Sequence, residues 1–180
     1  YSGFNRNITS LQEDGKGHFS TARIVGTEAI SAGKGDDIVD LTSSEFEVRD
    51  GIEIYGDEGD DILWATSGHD TVSGGSGDDR VFGGAGDDVL SGGEGLDVFQ
   101  FTGTSGNDVI TDFSLIDLDK LEFYYRSDNT SSLANLDIQN GIVTWSTNDE
   151  FREVKIDLSA TLNTSDINDL NELISFHEIV

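Results

Sequence analysis

Residues 56–100 read GDEGDDILW, ATSGHDTVS, GGSGDDRVF, GGAGDDVLS and GGEGLDVFQ, five nine-residue units in unbroken register. Phe101 and Thr102 follow as two extra residues, and a sixth unit, GTSGNDVIT, then runs to Thr111. An outlying copy, AGKGDDIVD, occupies Ala32 to Asp40. A fixed period of this kind marks a repeat architecture and outranks local propensity in deciding the fold.

Each column of the repeat has a physical reason. The fourth position is always glycine, at Gly35, Gly59, Gly68, Gly77, Gly86, Gly95 and Gly106, where a tight reversal needs positive φ. The sixth is always aspartate, at Asp37, Asp61, Asp70, Asp79, Asp88, Asp97 and Asp108. The eighth is always apolar, at Val39, Leu63, Val72, Val81, Leu90, Phe99 and Ile110. Each unit therefore predicts a glycine turn carrying a carboxylate, then a strand of about three residues whose middle side chain points inward. A Gly/Asp-rich disordered linker would share this composition but would not need an apolar residue in every eighth position.

So short a strand is stable only if successive units wind into a coil, two units per turn, with coils stacked about 4.7–4.9 Å apart. Every second unit then lies on the same side. Leu63, Val81 and Phe99 stack on one inner face, and Val72, Leu90 and Ile110 on the other. Asp61, Asp79 and Asp97 line one edge; Asp70, Asp88 and Asp108 line the opposite one. Carboxylates that close repel one another without a counterion. Together with turn carbonyls they offer oxygen ligands, and cages of about six to eight oxygens suit calcium, whereas zinc or copper favour His or Cys.

The pattern resembles the RTX (repeats-in-toxin) family over about half of the chain, with seven units agreeing at three positions each. The resemblance implies an all-β fold: a parallel β-roll solenoid holding several Ca2+ ions, with flanking β-rich caps. It also implies that each ion takes an aspartate from one unit and another from the unit two further along. Carried over, this pairs Asp61 with Asp79, Asp79 with Asp97, Asp70 with Asp88, and Asp88 with Asp108; Asp37, in the outlying unit, is a further candidate ligand whose partner is left open, Asp61 being one candidate. Turn carbonyls near Gly35, Gly59, Gly68, Gly77, Gly86, Gly95 and Gly106 would complete the cages. Ala65-Thr66 departs from the glycine pair, and Gly103-Thr104 follows the two-residue insertion. The family context further implies the C-terminal domain of a bacterial protein exported by type I secretion machinery.

The flanks lack the period. Residues 1–31 predict an N-terminal cap, with short strands at Thr21–Val25 and Glu28–Ile30; residues 32–111 form the roll, and 112–180 a C-terminal cap holding a secretion-signal region. Glu47 to Tyr55 reads as a degenerate unit with Ile54 inward, leaving Leu41 to Phe46 as a six-residue insertion. After the roll, Asp112-Phe113 and the acidic turn through Asp119 are similar to the segment that ends RTX rolls. By that resemblance Asp112 or Asp119 ligates a final ion; as bare sequence both read as turn residues. Asn140-Gly141 predicts a hairpin between Leu136–Gln139 and Ile142–Ser146, and Phe151–Leu158 a third strand. Ser165 is placed to cap a short helix from Asp166 to about Ile174.

Composition narrows the function. The 180 residues carry 36 Asp plus Glu against 10 Lys plus Arg, a net charge of −26, which argues against nucleic acid and anionic membrane as partners. There is no Cys and therefore no disulfide framework. No apolar run approaches membrane-spanning length, so no membrane insertion is expected, and no signal peptide is visible. With no Met and Tyr1 at its start, the chain reads as a piece of a longer protein. No nucleophile elbow, zinc helix, phosphate loop or EF-hand spacing is present, so the chain is not read as an enzyme.

Two functions fit these observations. One is a calcium-binding module that folds on meeting extracellular calcium and so supports secretion of a larger adhesin, toxin or hydrolase. The alternative is a polysaccharide-binding module on an extracellular enzyme, with Trp64 and Phe82, eighteen residues apart, as an outward aromatic ladder for glycan stacking. An anionic polymer would need basic residues, of which the uninterrupted repeats offer Arg80 alone. A flanking segment packed over the ladder is the plainer explanation of these aromatics.

Overall fold

The computed structural model describes residues 22–24, 29–42, 46–48, 51–125, 136–139, 142–146, 153–159 and 171–178. In chain order the strands are β1 (Ala22–Ile24), β2 (Ala29–Lys34), β3 (Ile38–Asp40), β4 (Phe46–Val48), β5 (Glu53–Glu58), β6 (Ile62–Trp64), β7 (Thr71–Ser76) and β8 (Arg80–Phe82). They continue as β9 (Val89–Glu94), β10 (Val98–Thr102), β11 (Asn107–Ile110), β12 (Lys120–Tyr125), β13 (Leu136–Gln139), β14 (Ile142–Ser146), β15 (Glu153–Asp157) and β16 (Ile174–Glu178). The chain is a parallel β-solenoid whose coils alternate between two facing sheets. One has the order β16-β12-β10-β8-β6-β3 and the other β13-β14-β15-β11-β9-β7-β5-β2.

Register follows the nine-residue period. Ile62 pairs with Arg80 and Leu63 with Val81, while Val72 pairs with Leu90 across the other sheet. The inward columns expected from position eight are the core: Leu63, Val81, Phe99, Leu90 and Ile110 are fully buried and Val72 is 1% exposed. The described strands of the roll are thus held by apolar contact between coils as well as by the ladders.

Strand length differs between the two sheets. β6 and β8 have the expected three residues, but β5, β7 and β9 have six. In the long strands the chain stays extended through positions one to three of the next unit, which turns Gly56, Gly74 and Gly92 inward and buries them. Phe101 and Thr102 similarly lengthen β10 to five residues. Phe101 points into the core, stacked 5.5 Å from Phe123, which in turn stacks 5.3 Å from Phe176.

The N-terminal part is more regular than its sequence suggests. Ala22 pairs with Phe46, Ala29 with Glu53 and Ile38 with Ile62, a constant spacing of 24 residues. β1, β2 and β3 therefore stack on β4, β5 and β6 with one common offset. Within the six residues read as an insertion, Phe46 begins β4, which pairs with β1 in a separate two-stranded sheet. The boundary expected between residues 31 and 32 falls inside β2.

At the other end the hairpin is present, with β13 antiparallel to β14 and β14 antiparallel to β15; its turn, 140–141, lies outside the described residues. The expected C-terminal helix is corrected over its last turn. Asn171–Leu173 is a single 3-10 turn, and Ile174 opens β16, parallel to β12. Ile174 and Phe176 alternate inward against Leu121 and Phe123, so the two-residue period prevails over the helical spacing of Ile167, Leu170 and Ile174. Residues 166–170 lie outside the described residues. Among the described residues no helix is long and apolar enough to cross a membrane.

Candidate metal centre

Of the sixth-position aspartates, Asp108 lies in β11 and the others in the turns between the two sheets, and in Asp61, Asp79, Asp88 and Asp97 the two carboxylate oxygens have different surroundings. One oxygen reaches back to the preceding coil. Asp79 Oδ1 accepts the backbone N–H of Asp61 at 2.7 Å, and Asp97 Oδ1 that of Asp79 at 3.0 Å. Asp61 does the same for Asp37 at 2.7 Å, and Asp119 for Asp97 at 3.1 Å. On the opposite edge, Asp70 serves Ile52 at 2.8 Å, Asp88 serves Asp70 at 2.8 Å and Asp108 serves Asp88 at 3.0 Å.

The other oxygen is the notable one. Oδ2 of Asp61, Asp79, Asp88 and Asp97 is buried with no hydrogen-bond partner among the described residues. Such an atom is costly, about 1–3 kcal/mol for a neutral group and more for a charge. Each of these oxygens faces the glycine that opens its own unit. A Cβ on Gly56, Gly74, Gly83 or Gly92 would run into the Oδ2 of Asp61, Asp79, Asp88 or Asp97 respectively. A Cβ on Gly56 would also meet the carbonyl of Gly74, and one on Gly74 would meet that of Gly92. The glycines thus keep open a space lined by a bare carboxylate oxygen and, at two of them, a carbonyl of the next coil. That donor set is oxygen alone, of the kind a hard cation takes.

Electrostatics agree with the geometry. Burial pushes the Asp79 carboxyl up to about 6; the Asp61 N–H pulls it down, and the carboxylates of Asp61, Asp60 and Asp78 raise it further. Burial likewise lifts Asp88 and Asp97 to about 7 and Asp108 to about 8, each opposed by one backbone N–H and aided by neighbouring acids. Asp61 and Asp119 are raised for the same first reason. A row of carboxyls that resist ionisation is what unneutralised close packing produces.

Position five forms a second, outer ladder running the other way. Asp36 Oδ1 accepts the N–H of Asp60 at 3.1 Å, Asp60 that of Asp78 at 2.9 Å, and Asp78 that of Leu96 at 2.9 Å. On the other edge His69 Nδ1 accepts from Asp87 N–H at 3.0 Å, and Asp87 Oδ1 from Asn107 N–H at 3.0 Å. These side chains are exposed and His69 stands among them in place of a carboxylate, so their task is backbone capping. Sequence reading missed this ladder; side chains able to accept in six of the seven fifth positions, all but Leu96, were its signal.

Asp112 Oδ1 accepts the N–H of Gly92 at 3.0 Å, and Asp119 Oδ2 accepts that of Ser114 at 2.7 Å. Gly35, Gly59, Gly77, Gly86, Gly95 and Gly106 have positive φ; Gly68 does not. Trp64 and Phe82 are neighbours across β6 and β8 as expected, but both are half-buried. The indole Nε1 of Trp64 is buried with no partner among the described residues. Val98, at the seventh position of its unit, is buried. Among the described residues no three acidic or histidine side chains converge on one point, so any metal cage here draws on backbone carbonyls as well as carboxylates.

A family model described as RTX calcium-binding nonapeptide repeat (4 copies) matches residues 53–72 and 64–99. These units are RTX repeats. The matched RTX segment contains all four bare carboxylate oxygens. Among solved structures, the chain is similar to the extracellular lipase LipA from Serratia marcescens at 23% identity and a TM-score of 0.33. That match covers 81% of this chain and 20% of the lipase. A second similarity, at 20% identity and a TM-score of 0.28, is to the AlgE6R3 subunit of the Azotobacter vinelandii mannuronan C5-epimerase, covering 84% of this chain and 80% of that one. No curated protein matches the chain.

Proposed function

We propose that this RTX roll is a folding module switched by calcium, working outside the cell as part of a larger secreted protein. The observation that carries the reading is the set of buried, partnerless oxygens on Asp61, Asp79, Asp88 and Asp97, each facing a glycine that leaves it room. When bound, calcium supplies positive charge and a demand for oxygen ligands at those atoms. The chain itself supplies the carboxylates, the turn carbonyls and the stacked core that sets their spacing. Because the set exists only in the folded state, binding free energy becomes folding free energy.

Magnitudes favour a switch. At about ten times Kd each site adds about 1.4 kcal/mol, so four would add about 6 kcal/mol. An ordinary domain has about 5–15 kcal/mol in total. Extracellular modules bind calcium at about 10⁻⁴–10⁻³ M, so such a chain stays unfolded where calcium is scarce and folds where it is plentiful. Passage of an unfolded chain through type I secretion machinery is the use that fits this behaviour. Residues 112–180 would then act as the C-terminal cap. The sugar-platform alternative is weakened because Trp64 and Phe82 are half-buried.

The test is a calcium titration followed by far-UV circular dichroism, with magnesium in parallel. A cooperative gain of β signal with calcium alone is expected. A spectrum already fully folded in chelator would sink the switch.

A further inference from the structure

The turn from Ala65 to Asp70 differs from every other turn of the RTX stretch. Asp70 Oδ1 accepts the N–H of Ile52 at 2.8 Å, as its counterparts do. Its Oδ2, however, accepts both the backbone N–H of Thr66 at 2.8 Å and the Thr66 hydroxyl at 2.7 Å. The same hydroxyl accepts the N–H of Gly68 at 3.1 Å. Asp70 is therefore buried and fully satisfied by protein donors.

Three independent features accompany this. The cradle that Gly56, Gly74, Gly83 and Gly92 leave open is here given to Ala65, whose side chain is fully buried. The second-position residues Gly33, Asp57, Gly75, Gly84 and Gly93 have φ between 79° and 124°, whereas Thr66, like Thr104 of the displaced sixth unit, does not have positive φ. Gly68 is the one fourth-position glycine without positive φ. A different backbone path points the Thr66 N–H at the oxygen that elsewhere is left bare.

Resting on the calcium reading above, we infer that Ala65–Asp70 is a metal-free turn in which Thr66 takes the place of the ion. Asp70 is then not a metal ligand through its carboxylate, contrary to the expectation from its column. The two edges of the roll are unequal: one carries the bare oxygens of Asp61, Asp79 and Asp97, the other that of Asp88 alone. The Thr66 turn also holds its coil in shape before any calcium arrives, giving the folding chain a closed turn inside the repeat array.

The experiment counts calcium ions per chain by equilibrium dialysis with radioactive calcium, on the full chain. Asp70→Asn is expected to bind as many ions as wild type, and Asp88→Asn one fewer. Loss of an ion in Asp70→Asn would overturn the inference. The double variant Ala65→Gly/Thr66→Gly reopens the cradle and should gain one ion; an unchanged count would also overturn it. A wild-type chain that binds no calcium would instead remove the underlying reading, which keeps the two failures apart.

Discussion

Asp79 Oδ1 holds the backbone N–H of Asp61 at 2.7 Å while Oδ2 of the same carboxylate is buried with no donor among the described residues. One oxygen of the carboxylate is thus tied to the backbone and the other is bare, and the two roles can be separated. Asp79→Asn keeps an acceptor for Asp61 N–H but removes the charge. The chelated protein should lose less structure than wild type does, and the calcium midpoint should rise by about tenfold, the loss of about 1.4 kcal/mol. Asp78→Asn is the control: Asp78 caps Leu96 from the exposed outer ladder, so its midpoint should stay within about twofold, a difference of a few tenths of a kcal/mol. Equal effects at both positions in the calcium titration would contradict this division.

Gly74 offers a steric counterpart. It lies in β7 without positive φ, so alanine is conformationally acceptable there and any penalty comes from the cradle. Its Cβ would strike Asp79 Oδ2 and the Gly92 carbonyl. Gly74→Ala should cost about 1–3 kcal/mol, the range for overpacking, measured by thermal unfolding in saturating calcium. It should also lower the ion count by one. An unchanged melting temperature and count would mean that the space is not used.

Much of this was legible in the repeat columns. Positions four, six and eight placed the turns, the carboxylates and the core columns because a nine-residue period maps directly onto a coil of eighteen. The first two coils were less legible. Their 24-residue period rests on Gly35-Asp36-Asp37-Ile38 recurring as Gly59-Asp60-Asp61-Ile62, with Ile30 recurring as Ile54, and the nine-residue frame divided that repeat into a unit and an insertion. The unequal strand lengths were hidden because Gly-Gly begins units on both sheets. The division of the Asp61, Asp79, Asp88 and Asp97 carboxylates between one oxygen that holds an N–H and one that is bare was hidden too, since it depends on how the backbones of adjacent coils are offset. At the C-terminus, Ile174 fits periods of both two and 3.6 residues, and the contact with Leu121 decided between them.

The aromatic column at the C-terminal end should behave as ordinary core. Phe101 is 1% exposed and stacks on Phe123, far from the bare oxygens in chemistry if not in fold. Phe101→Ala is expected to cost about 3–5 kcal/mol in urea unfolding at saturating calcium, while the ion count of the folded protein stays at the wild-type value. A fall in ion number at full folding would tie this column to the metal sites.

Acid should partly replace the ion. In the metal-free fold Asp79 titrates at about 6, Asp88 and Asp97 at about 7 and Asp108 at about 8, against about 3.9 in an unfolded chain. A raised carboxyl binds its proton more tightly when folded, so stability of the metal-free protein rises as pH falls through these values. It is greatest near pH 4 and is lost as pH climbs past about 8. Carboxyls held down in the fold, such as Asp40 by the Thr42 hydroxyl and N–H, act in the opposite sense but only below about pH 4. Protons also compete with calcium for the same oxygens, so the calcium midpoint should rise as pH falls from 8 to 6. Far-UV spectra in chelator at pH 8 and pH 5, with calcium titrations at pH 8 and pH 6, check both halves. If the pH 5 spectrum shows no more β structure than the pH 8 spectrum, and the midpoint does not move, burial of these carboxyls is not what keeps the metal-free chain unfolded.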